Sequence, residues 1–277
     1  MISGNCIKGR TVVITGAAHG LGEGLARILA DEGANLVIAD LDETAGKAVA
    51  EELDGKDGRK CLFVRTDVSD EDSVRNLVDE TVRTFGSLDV MISNAGILHV
   101  GSLEELCAED LDKVAAVNYR GFFLCAKYAA KAMKRQTASC PDRYADIIQI
   151  NSKSGLRGSK ANSAYSGSKF GAVGLVQSFA LELAPFRIKV NCICPGNCLD
   201  GELWSNPEHG LFVQYLNAGK VPGAKTVEDV REYYLSQVPM HKSCTVADIA
   251  RAVLYAISQT GETGQAIPVT GGQIMLD

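Results

Sequence analysis

Short runs rich in Val, Ile and Leu recur along the chain at 11–15, 35–40, 62–65, 88–93, 145–150, 188–194 and 266–269. Between them lie longer stretches in which apolar residues return every three to four positions, as at 22–32, 69–85 and 164–183. The first pattern predicts strands buried on both faces, the second amphipathic helices. Their alternation predicts an α/β fold, a doubly wound parallel sheet of about seven strands with helices on both faces. Ligands bind such a sheet beyond the carboxyl ends of its strands. No repeat, low-complexity tract or linker interrupts the pattern, so residues 1–277 read as one domain. One segment breaks the rhythm. From 197 to about 243 the chain is long, irregular and aromatic, which predicts a helical substrate lid, a subdomain or oligomer contact being the other reading. The polar stretch 137–143, with Pro141, reads as a surface loop before the fifth strand.

Composition narrows the picture modestly. A hydrophobic content of 46% with 22% charged residues is ordinary for a globular chain. The formal net charge of −6 argues against nucleic acid as a partner. No apolar run reaches the roughly 20 residues that cross a bilayer, and the leader before Thr11 lacks the apolar core of a signal peptide. The expectation is a cytoplasmic protein with no membrane partner. Of nine cysteines only Cys192, Cys194 and Cys198 cluster, the first two on one face of a strand. Without a Cys-x-x-Cys pair they read as buried thiols, with no metal site.

The first strand runs directly into Gly16-Ala17-Ala18-His19-Gly20-Leu21-Gly22 and then a helix. Glycines there let the backbone approach a pyrophosphate, while the helix N-terminus offers free N–H groups and a positive dipole end. Asp40 closes the second strand 20 residues after Gly20, where a carboxylate can accept from adenosine ribose hydroxyls. No Arg or Lys neighbours it in sequence, which favours NAD over NADP; His19 keeps a phosphate contact open. Asp67-Val68, after the third strand, reads equally as an adenine contact and as the approach to a helix capped by Ser69 or Asp70.

Past the fifth strand come Asn151-Ser152-Lys153-Ser154-Gly155 and, thirteen residues beyond Ser152, Tyr165-Ser166-Gly167-Ser168-Lys169. On a helix Tyr165 and Lys169 share a face. An ammonium beside a phenol favours the phenolate, as a general acid/base near neutral pH requires.

With these residues in view, the whole chain resembles the short-chain dehydrogenase/reductase family. The matching elements are Thr15-Gly16-x-x-x-Gly20-x-Gly22, Ser93-Asn94-Ala95-Gly96, Asn118, Ser152, Tyr165-x-x-x-Lys169 and Pro195-Gly196. The resemblance implies a Rossmann-type sheet, a homotetramer, and roles for each residue. Tyr165 exchanges a proton with the substrate oxygen, Ser152 hydrogen-bonds that oxygen, and Lys169 holds the nicotinamide ribose. Asn118 positions a water that links Lys169 to solvent. Asn94, Ala95 and Gly96 shape the cofactor floor, with Pro195 and Gly196 near the nicotinamide. Two departures stand out. Ser93 replaces the family's first Asn, and the Thr usual after Pro-Gly is missing, leaving Asn197 as the candidate for the carboxamide.

A narrower resemblance, to polyol-phosphate dehydrogenases of the family, covers 147–155, Gly158-Ser159-Lys160, Asn162-Ser163, Gly196-Asn197, Glu232-Tyr233-Tyr234 and Val269-Thr270-Gly271-Gly272-Gln273. It implies a polyol or sugar-phosphate substrate, sorbitol 6-phosphate before others. Lys153, Arg157 and Lys160 could meet a phosphate or be solvated surface charges. Lys220, Lys225, Arg231 and Lys242 form a second such set, and Asn151, Asn162 and Asn197 suit hydroxyls. A different small alcohol or a 3-hydroxyacyl thioester, which would need a continuous apolar groove, is the competing reading. An NAD-binding sensor would have no need of Asn118, Ser152, Tyr165 and Lys169.

Overall fold

The computed structural model describes residues 6–140 and 142–275, so the start of the leader and Pro141 lie outside the described residues. Each apolar run forms a strand: β1 Thr11–Thr15, β2 Asn35–Asp40, β3 Cys61–Arg65, β4 Val90–Ser93, β5 Ala145–Ile150, β6 Ile188–Pro195 and β7 Ala266–Val269. They pair in parallel in the order β3-β2-β1-β4-β5-β6-β7. The winding direction reverses between β1 and β4, which opens a crevice at their carboxyl ends.

Near-continuous hydrophobicity follows from burial of both faces. In β1, Val12 and Ile14 join the core under one helical layer while Val13 joins the other. The first layer holds α1 (Gly20–Asp31), α2 (Glu43–Leu53) and α10 (Val246–Ser258), anchored by Leu25, Leu29, Val49, Ile249 and Val253. The second holds α3 (Glu71–Phe85), α5 (Gly121–Ser139) and α6 (Ser163–Leu183), anchored by Leu77, Phe122, Met133 and Val176. Burying one such side chain contributes roughly 1.5–3 kcal/mol, so these faces dictate how each helix rolls onto the sheet. Asp42 and Asp70 cap α2 and α3 by accepting from the N–H groups of Ala45 (3.0 Å) and Ser73 (2.7 Å).

One local expectation needs correction. Residues 137–139 belong to α5 rather than to a loop, because Thr137 is buried and its hydroxyl donates back to the Met133 carbonyl (3.1 Å). The preceding helix, α4 (Ala108–Ala115), joins α5 through a π-helical turn, Ala116–Arg120, that carries Asn118. Such a turn inserts an extra residue and is frequent at functional sites. Hydrophobic spacing carries no mark of it.

The irregular segment folds into α7 (Glu202–Ser205), α8 (Leu211–Asn217) and α9 (Val227–Ser236). They enclose an apolar cluster of their own, built on Leu199, Trp204, Leu211, Phe212, Tyr215, Val221 and Val230. The Trp204 ring centre lies 5.2 Å from that of Phe212 and 5.0 Å from that of Tyr234. Among the described residues, no helix is long and apolar enough to cross a membrane.

Candidate active site

At the carboxyl end of β1 the glycine loop is held by close packing. A Cβ on Gly22 would lie 2.1 Å from the Gly16 carbonyl oxygen and 2.6 Å from the Asn94 amide nitrogen, so only glycine lets α1 start here. Asn94 donates to the carbonyls of Thr15 and Gly16 (both 2.9 Å). The Thr15 hydroxyl accepts from the N–H groups of Asn94 (3.0 Å) and Ala95 (3.1 Å). Asn94 and Ala95 therefore brace the loop from β4. Gly20 opens α1 at φ +55°, and a Cβ there would meet nothing within 4 Å. An open approach at a helix N-terminus fits a dinucleotide pyrophosphate.

Asp40 accepts from the N–H groups of Ala18 (2.9 Å) and Asp42 (3.0 Å) at the rim of this loop. The His19 ring pairs with the Asp42 carboxylate (2.9 Å), so it sits at the ribose corner and is engaged there by a carboxylate. Sequence adjacency shows no cation near Asp40, yet parallel pairing sets exposed Arg65 in register with it on β3. Asp67 accepts from both the N–H and the hydroxyl of Ser69 (2.9 and 2.7 Å), and Asp70 is the α3 cap. The Val68 side chain is buried against Gly121 and offers nothing polar.

The chemical groups converge where β5 meets α6. Asn151 is buried with its amide engaged throughout, donating to Gln149 (2.8 Å) and the Lys169 carbonyl (3.1 Å) and accepting from the Ser152 N–H (2.7 Å). It is a brace under Ser152, which removes it from the groups suited to a substrate hydroxyl. The Ser152 hydroxyl accepts from the Ser154 N–H (3.1 Å) and lines the same cleft as Tyr165. Tyr165 and Lys169 share a face of α6, with the ammonium 5.5 Å from the ring centre.

Their electrostatics differ from the simple expectation. Burial holds the Tyr165 phenol above its usual range, opposed by the neighbouring Ser152 hydroxyl. The Lys169 ammonium donates to the Ile150 carbonyl (2.8 Å) and is itself pushed down to about 8 by burial. Asn118 accepts from the Ile97 N–H and donates to the Ile97 carbonyl (both 2.8 Å) and to Ser168 (3.1 Å). A Cβ on Gly96 would sit 3.3 Å from Asn118 and 3.7 Å from the Lys169 ammonium, which places Asn118, Gly96 and Lys169 side by side.

Above these groups a cleft of about 340 Å³ separates the sheet from the lid. Gly20, Leu21, Ser152, Tyr165, Pro195, Gly196 and Asn197 line its floor; Leu203, Trp204, Tyr215 and Tyr234 form its lid wall. Nothing in the spacing marks Tyr215 or Tyr234 as lining residues, although the Leu211–Tyr215 spacing fits one inward helix face. Of the candidate cations, Lys153 and Lys220 line the cleft. Arg157, Lys160 and Lys225 are exposed and outside the lining. Arg231 pairs with Asp200 (3.1 Å) and Lys242 with Asp248 (3.2 Å). The amide nitrogen of Asn197 and the amide oxygen of Asn162 are buried without partners among the described residues, and both residues line the cleft. The Cys192 and Cys194 sulfurs lie 3.9 Å apart on β6, and the described residues hold no group of three or more potential metal ligands.

Residues 10–208 match the family model described as short chain dehydrogenase. The sorbitol-6-phosphate 2-dehydrogenase of Escherichia coli K12 is 35% identical over 269 residues, covering 96% of this chain and 99% of that one. A 3-oxoacyl-acyl-carrier-protein reductase of Thermotoga maritima is 28% identical over 271 residues, covering 97% and 99%. The crystal structure of sorbitol-6-phosphate 2-dehydrogenase from Erwinia amylovora superposes with a TM-score of 0.88 at 35% identity, over 96% of this chain and all of that one.

Proposed function

The chain belongs to the short-chain dehydrogenase family, and from that premise we propose that it is an NAD-dependent enzyme interconverting a secondary alcohol and a ketone. Within that reaction, sorbitol 6-phosphate oxidised to fructose 6-phosphate, or a related polyol or polyol phosphate, is the substrate we assign. The observation that carries the reaction type is the Ser152–Tyr165 hydroxyl pair at the cleft floor, with buried Lys169 one turn along α6. Tyr165 takes the proton of the substrate hydroxyl during oxidation and returns it during reduction. Ser152 hydrogen-bonds the same oxygen, while Asn151 keeps Ser152 in place. Lys169 holds the ribose next to the reacting carbon, and Asn118 braces the segment beneath it. Bound NAD supplies the hydride acceptor. Gly16, Gly20 and Gly22 would hold its pyrophosphate, and Asn197, whose amide nitrogen has no partner among the described residues, would be the donor for its carboxamide.

NAD is favoured over NADP because Asp40 and Asp42 both stand at the ribose corner, where a 2′-phosphate would meet two carboxylates. Arg65 opposes this with a single exposed charge. The substrate assignment draws on the Escherichia and Erwinia relatives. A hydroxyacyl or other apolar-tailed alcohol is the second reading, favoured by the Trp204, Tyr215 and Tyr234 wall. Steady-state rates separate the two: kcat/KM is expected to rank sorbitol 6-phosphate above sorbitol and any 3-hydroxyacyl thioester, with NAD above NADP. Equal rates for the phosphate ester and the free hexitol would remove the substrate assignment and leave the reaction type standing.

We also read the assembly as a homotetramer. Exposed Phe123, Phe170 and Phe186, on or beside α5 and α6, supply apolar surface for it. A solution mass of four chains is the expected result, and a monomer at micromolar concentration would refute it. All nine cysteines are free thiols, which supports a reducing, cytoplasmic setting.

A further inference from the structure

On a protein of net charge −6, no Asp or Glu among the described residues lines the cleft that holds Ser152 and Tyr165. Two lysines do, from opposite sides: Lys153 follows Ser152 on the sheet edge, and Lys220 follows α8 in the lid. Neither is a freely solvated surface charge. Both are half-buried, and the Lys220 ammonium lies 3.8 Å from the centre of the Tyr215 ring, which also lines the cleft. Burial pushes both ammoniums down to about 8. Lys153 also lies in the repulsive field of Lys220 and Arg157, and Lys220 in that of Lys160. Two desolvated cations without a counter-charge are costly to keep, so their place is explained by an anion that arrives with the ligand.

Asn162 is independent support. It occupies the N-cap position of α6, where an Asn side chain ordinarily accepts from the helix's free N–H groups. Here it makes no such bond; the residue lines the same cleft, and its amide oxygen is buried without a partner among the described residues. An unpaired buried acceptor costs stability unless a ligand donor meets it, and a polyol hydroxyl is such a donor.

We propose that Lys153 and Lys220 form a two-sided clamp for the anionic end of the substrate, a phosphate ester, while Asn162 accepts from one of its hydroxyls. This rests on the reading of the cleft as the substrate site. It selects two of the seven candidate cations and assigns Arg157 and Lys160 to the outer surface. Because one jaw is on the sheet and the other on the lid, a bridging phosphate also ties the lid down over Ser152 and Tyr165.

The test uses the NAD-loaded enzyme and the variants Lys153→Met, Lys220→Met, Lys220→Arg and Arg157→Met. The ratio of kcat/KM for sorbitol 6-phosphate to that for sorbitol is expected to fall roughly 10–100-fold in each Met variant of the two lysines, the range for losing one charge-assisted hydrogen bond. It should recover in part in Lys220→Arg and stay near the wild-type value in Arg157→Met. NAD affinity and the thermal midpoint report whether each variant is folded. A second arm measures inorganic phosphate as a competitive inhibitor against whichever alcohol the wild type oxidises. If no phosphate ester is preferred, yet phosphate competes and loses its grip in both Met variants, the clamp stands and the assigned substrate falls. If the ester is preferred and the ratio survives both Met substitutions, the assigned substrate stands and the clamp is overturned. Absence of both the preference and the inhibition overturns the clamp as well.

Discussion

Replacing Tyr165 by Phe is expected to lower kcat for alcohol oxidation roughly 10²–10⁴-fold, the span contributed by a positioned general base, while NAD binding is retained. The substitution removes one oxygen and leaves the ring on α6, so the loop at Gly16–Gly22 and the packing of α6 on the sheet are untouched. The pH profile carries further information. Oxidation needs the phenolate, and burial holds this phenol above its ordinary range. The wild-type rate should therefore climb with pH through the neutral and alkaline range, and the climb should vanish in the Phe variant along with most of the rate. A Tyr165→Phe enzyme that kept a tenth or more of wild-type kcat would exclude Tyr165 as the proton carrier.

For Lys169→Met the expected loss is about 10²–10³-fold in kcat, the scale for removing one preorganised donor, together with a higher KM for NAD. Stability should move the other way. Lys169 is 4% exposed, and burial pushes its pKa down from 10.5 to about 8. Between these values the unfolded chain binds more protons than the folded one, so stability rises with pH from about 8 to 10.5. Below pH 8 the penalty is fully present and amounts to about 3 kcal/mol at the ordinary conversion of pKa into free energy. The Met variant escapes it but leaves the Ile150 carbonyl without its 2.8 Å donor, a loss of roughly 1–3 kcal/mol. Denaturant unfolding at pH 7 should then find Lys169→Met at least as stable as wild type, and its advantage should shrink by pH 10. A clearly destabilised variant at pH 7 would show that Lys169 has a structural rather than a positioning role.

Much of the site is legible in one dimension because its chemistry is local. The Tyr165–Lys169 pair needs only a helix, and Gly16, Gly20 and Gly22 need only a strand that runs into one. Asp40 is placed by the length of one β-α-β unit. The strand boundaries follow for a related reason. A strand packed between two helical layers is mostly apolar, and β1, β2, β5 and β7 match the apolar runs residue for residue, with Asp146 and Gln149 as buried polar exceptions in β5.

Groups whose role depends on partners distant in the chain are not legible in this way. Asn151, Asn162 and Asn197 look alike in sequence as hydroxyl-matching amides. The fold spends the first on Gln149, Ser152 and Lys169 and leaves a buried polar atom unpaired on each of the other two. Arg65 lies 25 residues from Asp40 along the chain and beside it across the sheet. The π turn that carries Asn118 has no periodic signal, since its five residues, Ala116–Arg120, are too few to show a period of their own.

The sequence by itself determined the α/β winding, the family, and the candidate trio Ser152, Tyr165 and Lys169 to which proton transfer is assigned, because periodicity and short spacing are properties of the chain alone. The tertiary structure decided which cations share the cleft, which amides keep an unpaired buried atom among the described residues, and which way burial pushes Tyr165 and Lys169. Burial is the reason. It is set by what packs against a group from elsewhere, and it raises the Tyr165 phenol and lowers the Lys169 ammonium, where adjacency on one helix face predicts a phenolate stabilised by its neighbour.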